Sequence, residues 1–346
     1  MKAGCYTALV TPFAGEEVDL NGLRQLLAFQ IKNDISGVLA IGTTGESATL
    51  TWQEHQTVIE AVVATAKGKC TVLVGTGSNN TKEAIQASKH AAKAGADAVL
   101  LVDPYYNGPS SLEIRREYIA PIAEVVSGIE VIPYIIPGRT GCQLLPQDIA
   151  ILHQKYPNIK TVKEATGNIE NMRLTRKYAG KELQILSGDD GMTLEMMTDP
   201  SVMACGAISV ASNIVPKFIT KAIQLFHEGH IDESKALFQK LAPLFSIITV
   251  TTTEESSVGP VSCRARNPLA IKTLMAILGM PVGSCRQPLG KMTQNGINAI
   301  LKVAREVQAN SPELFAPIAE FFNVDIENRL NDPKNWQHLF YTNYAE

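Results

Sequence analysis

The sequence predicts an α/β fold, a closed (β/α)8 TIM barrel followed by a C-terminal helical region. Three observations carry that reading: eight short apolar runs, long amphipathic segments alternating with them, and no dinucleotide-binding glycine signature. The runs occupy residues 6–10, 37–41, 71–75, 98–102, 131–135, 159–163, 183–187 and 204–210. Their near-continuous apolar character suits parallel strands covered on both faces. Between them, helical periodicity predicts helices over 21–32, 53–67, 82–94 and 111–126. Asp19, Thr51 and Thr81 read as helix starts, because their side-chain oxygens can accept the free N–H groups of a first turn. Gly95 closes the third helix in the manner of a C′ glycine. An open doubly wound sheet is the competing architecture, but no G-x-G-x-x-G opens the first helix. The first strand runs instead into Thr11-Pro12-Phe13. The barrel is assigned to residues 1–230.

Residues 231–309 read as the helical region, with helices over 233–245, 269–278 and 290–307. A polar segment at 251–262, rich in Thr, Ser, Glu and Gly, interrupts them and reads as a mobile loop. Residues 310–346 form an aromatic-rich tail without an assigned role. Its Phe315, Phe321, Phe322, Trp336, Phe340, Tyr341 and Tyr344 require a surface to bury against.

A formal net charge of -3, with no basic cluster interleaved with aromatics, argues against nucleic acid or an anionic membrane as partner. Six scattered cysteines without a C-x-x-C pair or neighbouring histidine argue against a metal site or a disulfide framework, and for a reducing compartment. No apolar run reaches the roughly 18 residues that span a bilayer. The start, Met1-Lys2-Ala3-Gly4-Cys5, has no apolar region of signal-peptide type. The expectation is a soluble, cytoplasmic protein.

In a TIM barrel, catalytic groups collect at the carboxyl ends of the strands. Lys163 ends the sixth run, where burial strips its amine of water and lowers its pKa, with Glu164 pulling the other way. A neutral amine can attack a ketone and form a Schiff base. Gly42-Thr43-Thr44-Gly45-Glu46-Ser47 follows the second run, its backbone and hydroxyls suited to an anion. Asp103-Pro104-Tyr105-Tyr106-Asn107 follows the fourth. The fifth carries the phenol of Tyr134 and then Arg139, whose guanidinium fork suits a carboxylate. Ser187-Gly188-Asp189-Asp190 ends the seventh, and Gly206-Ala207-Ile208-Ser209 forms the eighth; their glycines leave room for a small substrate. Taken singly, each of these residues has an ordinary structural role. Together, a lysine for an imine, a tyrosine for proton transfer, a hydroxyl relay and an arginine clamp form a class I aldolase set.

These motifs, with Val162-Lys163-Glu164-Ala165-Thr166-Gly167-Asn168, resemble the dihydrodipicolinate synthase and N-acetylneuraminate lyase superfamily, and its dihydrodipicolinate synthase branch more closely. The resemblance runs from about residue 4 to about residue 307. It implies that Lys163 forms an imine with pyruvate, with no cofactor and no metal. Tyr134 and Thr44 then join a proton relay completed by Tyr106, which a neighbouring subunit supplies within a homotetramer of dimers. Thr43 touches the pyruvate carboxylate, Arg139 that of L-aspartate 4-semialdehyde, and Gly188 and Ile208 line the substrate. The implied product is 4-hydroxy-tetrahydrodipicolinate, on the route to lysine and diaminopimelate. Arg139 separates this pattern from the sialic-acid lyases, which lack it.

A regulatory site is also implied, in which Ser47, Ala48, Trp52, His55, Asn79, Glu83 and Tyr105 match positions that bind L-lysine as an inhibitor. Two departures stand beside the relay tyrosine and the arginine: Ile135 replaces an asparagine, and Gly138 stands where serine is common. The alternatives are another pyruvate-dependent aldolase, or a non-catalytic barrel that senses an amino acid through Trp52 and Glu83.

Overall fold

The computed structural model describes residues 1–342 and Tyr344; Asn343, Ala345 and Glu346 of the predicted tail lie outside the described residues. Eight parallel strands close into a barrel. They are β1 (Gly4–Ala8), β2 (Gly37–Ala40), β3 (Thr71–Gly75), β4 (Ala98–Val102), β5 (Glu130–Ile135), β6 (Thr161–Glu164), β7 (Gln184–Ser187) and β8 (Gly206–Ser209). Each pairs with its sequence neighbours, and β8 returns to β1. All eight predicted runs are strands, displaced by at most three residues at either end. Their Val, Leu and Ile side chains are almost fully buried, as strands covered on both faces require.

The chain divides into two compact units: Met1–Tyr6, Ser36–Gly42 and Thr51–Ser209 form the first, and Thr7–Ile35, Thr43–Leu50 and Val210–Glu346 the second. In the first unit, the helix Trp52–Ala66 opens on a capping box. The Thr51 hydroxyl accepts from Glu54 N at 3.3 Å, and Thr51 N donates back to the Glu54 carboxylate at 2.8 Å. The helix Thr81–Ala94 is capped by Asn80, not by the predicted Thr81. The Thr81 hydroxyl is engaged elsewhere, donating to Glu117 O at 3.0 Å. That carbonyl is available because Pro121, four residues on, has no N–H and its ring crowds the Glu117 carbonyl. The helical segment predicted over 111–126 accordingly carries a π-helical stretch, Ile114–Ile119, just before the proline.

In the second unit, Asp19 caps the helix Leu20–Lys32 as predicted, accepting from Asn21 N and Gly22 N. Phe29 of this helix is fully buried against two tail aromatics, Phe321 at 5.5 Å and Phe322 at 5.3 Å between ring centroids, and Phe315 is buried as well. Much of the tail thus finds its covering surface within its own unit. The predicted mobile loop at 251–262 is instead an antiparallel hairpin, β9 (Val250–Ser256) and β10 (Gly259–Ala265), turning at Ser257 and Val258. Thr and Val are β-branched and favour strands, and burial alternates along both arms. The buried Glu254 accepts from Asn295 Nδ2 at 2.9 Å, fastening the hairpin to the helix Gln294–Asn310. A short parallel pair, β11 (Met292–Thr293) and β12 (Phe340–Tyr341), ties down the tail.

Candidate active site

Tyr134 on β5 pairs directly with Lys163 on β6, so their side chains share one face. Lys163 is buried, and its Nζ lies 4.1 Å from the centroid of the Tyr134 ring. Its pKa falls from 10.5 to about 7, chiefly through burial; the Asp190 carboxylate opposes that lowering and the Arg139 charge adds to it. Roughly half of such amines are neutral at pH 7, against well under one in a thousand for an exposed lysine. Glu164, expected to supply the opposing charge, does not act on the amine. Successive strand residues face opposite ways, and its carboxylate turns to Thr166 N at 2.8 Å and Asn171 Nδ2 at 3.1 Å. Burial pushes the Glu164 carboxyl up.

Gly188 stands against the same lysine. A Cβ there would lie 3.0 Å from Lys163 Cε and 2.8 Å from Ala165 Cβ, so this position has room only for glycine. Asp190 is buried and accepts a hydrogen bond from the Ser209 hydroxyl at the end of β8, where Ile208 is buried too. Arg139 is half-buried in a single helical turn, Pro137–Thr140, which ends at Gly141 with φ +70°. The two departures are accommodated: Ile135 points to the face opposite Tyr134 and is fully buried, and a Cβ at Gly138 would meet nothing within 4 Å. Tyr106 is 93% exposed and has φ +80°, a backbone region that a bulky residue enters at a cost of about 1–3 kcal/mol.

Asp103 directly follows β4 and is fully buried. Its Oδ2 accepts from Leu144 N at 3.0 Å, while its Oδ1 is buried with no partner among the described residues. Desolvation, with help from the Glu164 charge, raises its pKa to about 7. Cys142 Sγ donates to Pro104 O at 2.8 Å, so two bonds join the Tyr105–Tyr106 stretch to the segment that follows Arg139.

The second unit holds the threonine turn. Thr43 is half-buried; Thr44 is buried, and its Oγ1 accepts from Asn267 Nδ2 at 2.9 Å. The Thr11 hydroxyl donates to Gly45 O at 2.7 Å. Glu46 has φ +56°, and its buried carboxylate takes Lys272 Nζ at 2.5 Å and Arg286 N at 2.9 Å.

Among the residues expected to hold lysine, Trp52, His55 and Glu83 line one cavity of about 60 Å³ together with His90. The Trp52 and His55 rings meet edge to face at 4.6 Å. Glu83 accepts from the Ser78 hydroxyl at 2.7 Å, and Asn79 Oδ1 accepts from Tyr105 N at 2.7 Å. Ser47 and Ala48 belong to the second unit, Ser47 half-buried and Ala48 exposed.

Residues 1–307 match the model of the Dihydrodipicolinate synthetase family. The chain belongs to that family. It is 39% identical over 294 residues to the 4-hydroxy-tetrahydrodipicolinate synthase of Methanococcus vannielii, covering 84% of this chain and 94% of that one. A lysine-bound structure of the dihydrodipicolinate synthase of Cyanidioschyzon merolae superposes with a TM-score of 0.80 at 34% identity, over 88% of this chain and 98% of that one. The chloride-inhibited enzyme of Acinetobacter baumannii, complexed with pyruvate, gives 0.78 at 31% identity, over 89% and 99%. The family match ends where the aromatic tail begins.

Three residues beside these were given no role by the sequence reading. Asp103 stood in a recognised motif without a role, although an aspartate closing an apolar strand is itself a sign of a perturbed carboxyl. Asn267 and Lys272 carry no local signal, because their partners Thr44 and Glu46 are 223 and 226 residues away. Among the described residues, no group of three or more His, Cys, Asp or Glu is placed to hold a metal ion, and no helix is long and apolar enough to cross a membrane.

Proposed function

We propose that the chain is a Schiff-base lyase that condenses pyruvate with L-aspartate 4-semialdehyde to 4-hydroxy-tetrahydrodipicolinate, the first committed step toward diaminopimelate and lysine. The observation that carries this reading is Lys163, a buried amine with a pKa of about 7 in a chain of the Dihydrodipicolinate synthetase family. The neutral Nζ attacks C2 of pyruvate, and the carbinolamine loses its oxygen as water to leave a cationic imine. Removal of a C3 proton then gives the enamine, its electron pair moving onto the imine nitrogen. Tyr134, Thr44 and Tyr106 relay these protons. C3 attacks the aldehyde carbon, whose oxygen takes up a proton to become the 4-hydroxyl. The amine of the adduct then attacks C2 and releases Lys163, closing the ring.

In this reading, Thr43 holds the pyruvate carboxylate, Arg139 that of the semialdehyde, and Gly188 and Ile208 line the substrate. No cofactor beyond the lysine imine takes part, and the setting is the cytoplasm. The pyruvate held by the Acinetobacter baumannii relative supports the first substrate. The outward, strained Tyr106 supports a homotetramer built from dimers that share it. Incubation with pyruvate and borohydride, followed by digestion and mass analysis, tests the chemistry. A reduced adduct on Lys163 is expected; no adduct anywhere on the chain would overturn the reading.

L-Lysine is proposed as the feedback inhibitor, bound by Trp52, His55, Asn79, Glu83 and Tyr105 with Ser47 and Ala48. Support comes from the lysine bound to the Cyanidioschyzon merolae relative and from the cavity that Trp52, His55 and Glu83 share. Glu83 pairs with the ammonium group, and Trp52 covers the aliphatic stem. Inhibition should weaken in Glu83→Ala, whereas a wild type indifferent to millimolar lysine would remove the site.

A further inference from the structure

Three consecutive residues of the threonine turn are each anchored by a group distant in the sequence. Asn267 Nδ2 donates to Thr44 Oγ1 at 2.9 Å, the Thr11 hydroxyl to Gly45 O at 2.7 Å, and Lys272 Nζ to Glu46 at 2.5 Å. Asn267 and Lys272 lie five residues apart, either side of the start of the helix Leu269–Ile277. One short segment therefore grips the turn at two points. Arg286 N adds a second donor to the Glu46 carboxylate at 2.9 Å, and the Arg286 guanidinium and Lys272 Nζ both lie over the ring of Phe13, at 4.4 and 4.2 Å. Lys272 is 1% exposed and Glu46 3%, so this ion pair is shielded from water. It holds Glu46 at φ +56°, a conformation that a glutamate does not favour alone.

The polarity at Thr44 has a chemical consequence. A threonine hydroxyl has one proton and two lone pairs. With an amide N–H donated into one lone pair, the Thr44 proton cannot point toward Asn267 and must be offered elsewhere. Thr44 is 2% exposed, so bulk water does not scramble that orientation.

We infer that Asn267 is the positioning residue of the proton relay: its side-chain amide, carried on the segment that the Glu46–Lys272 pair braces, fixes the direction in which the Thr44 hydroxyl presents its proton. The inference rests on the relay role proposed above for Thr44. It assigns Asn267 no contact with substrate. Its effect belongs to the proton-transfer step and not to imine formation, and that separation makes it testable.

The readouts are exchange of the pyruvate C3 protons in D2O, followed by NMR, and borohydride trapping of Lys163 by pyruvate. Asn267→Ala should slow exchange about tenfold or more, the scale on which a mis-set proton donor acts, while trapping stays within about twofold of wild type. Asn267→Asp keeps the volume but turns the donor into an acceptor. The Thr44 proton then swings toward the carboxylate, and the loss should match or exceed that of Asn267→Ala. In a Thr44→Val background, Asn267→Ala should add nothing, because the hydroxyl it orients is gone. Exchange at the wild-type rate in either single variant would overturn the inference. So would an equal further loss in the Thr44→Val background, or parallel losses of exchange and trapping. A wild type that neither exchanges nor traps would fall outside this pattern and would defeat the condensation reading itself, along with this inference.

Discussion

Replacing Asp103 with asparagine should make the protein more resistant to unfolding, by an amount that grows with pH. The carboxyl is fully buried and its pKa rises from 3.8 to about 7, chiefly through desolvation. Between those values the folded chain keeps a proton that the unfolded chain releases, so stability falls as pH rises through that window and levels off above about 7. Each pH step within the window is worth ~1.4 kcal/mol, which bounds the full cost of ionising Asp103 at ~4 kcal/mol above neutrality. Local relaxation and a partly structured unfolded state reduce that to about 2–3 kcal/mol. Asparagine removes the charge while preserving the acceptor for Leu144 N–H and placing an amide at the orphaned Oδ1. About three quarters of that cost accrues above pH 4.5, so with an unfolding entropy of ~0.7 kcal/mol per kelvin for a chain of this length the Tm advantage of Asp103→Asn should widen by about 2–3 °C between pH 4.5 and pH 8. Thermal scans of parent and variant at matched rates across that range measure the difference directly. Other carboxyls, Glu164 included, are common to both proteins and largely cancel in the comparison. An advantage that is flat with pH, or a parent more stable at pH 8, would refute the reasoning.

Three further outcomes follow from the lysine and its neighbours. The rate of borohydride-trapped imine formation should rise with pH around a midpoint near 7; a midpoint near 10.5 would mean that burial does not govern Lys163. Asp190→Asn removes the anion that holds the lysine pKa up, so that midpoint should move to lower pH, and an upward shift would exclude an electrostatic role for Asp190. Gly188→Ala places a methyl 3.0 Å from Lys163 Cε. It should lower kcat/KM by about 10–100-fold through misplacement of the amine, with circular dichroism unchanged; full activity would contradict the fit.

The barrel was legible because its signal is local and repeated. Apolar runs of strand length alternate with 3.6-periodic segments, and both periods survive whatever the loops do. The strand ends were legible for the same reason, since a barrel gathers them whatever their spacing in the chain. What escaped depends on partners far away or on a competition between local rules. Thr81 is a good cap by type, yet its hydroxyl is drawn to Glu117 O, 36 residues on, and Asn80 takes the role. The stretch at 251–262 is polar enough to suggest a loop, but its β-branched residues pair arm to arm in a hairpin. The error over Glu164 was avoidable from the sequence alone. Strand alternation already sends it to the face opposite Lys163, and the charge that reaches the amine comes from Asp190, just beyond the end of the next strand, β7.

The two buried lysines show what the structure adds to such a reading. Lys163 is 5% exposed and Lys272 1%, and each Nζ lies just over 4 Å from an aromatic centroid, Tyr134 in one case and Phe13 in the other. Both follow apolar stretches, so composition and burial treat them alike. They differ in their counter-charges. Lys272 meets the Glu46 carboxylate at 2.5 Å and donates to Ser284 O at 3.0 Å; burial still leaves its pKa below the usual lysine value, with Glu46 working against that lowering. An amine held in two such bonds has its donors committed, and releasing its proton would strand a buried carboxylate. Lys163 has no carboxylate within hydrogen-bonding distance among the described residues; Asp190 acts on it as a charge while bonded to Ser209. Its proton is therefore the one that burial can remove near neutral pH, and its lone pair the one free to attack a carbonyl. Burial makes a lysine unusual, but the presence or absence of a bonded carboxylate decides whether its amine is committed to a brace or left with an available lone pair.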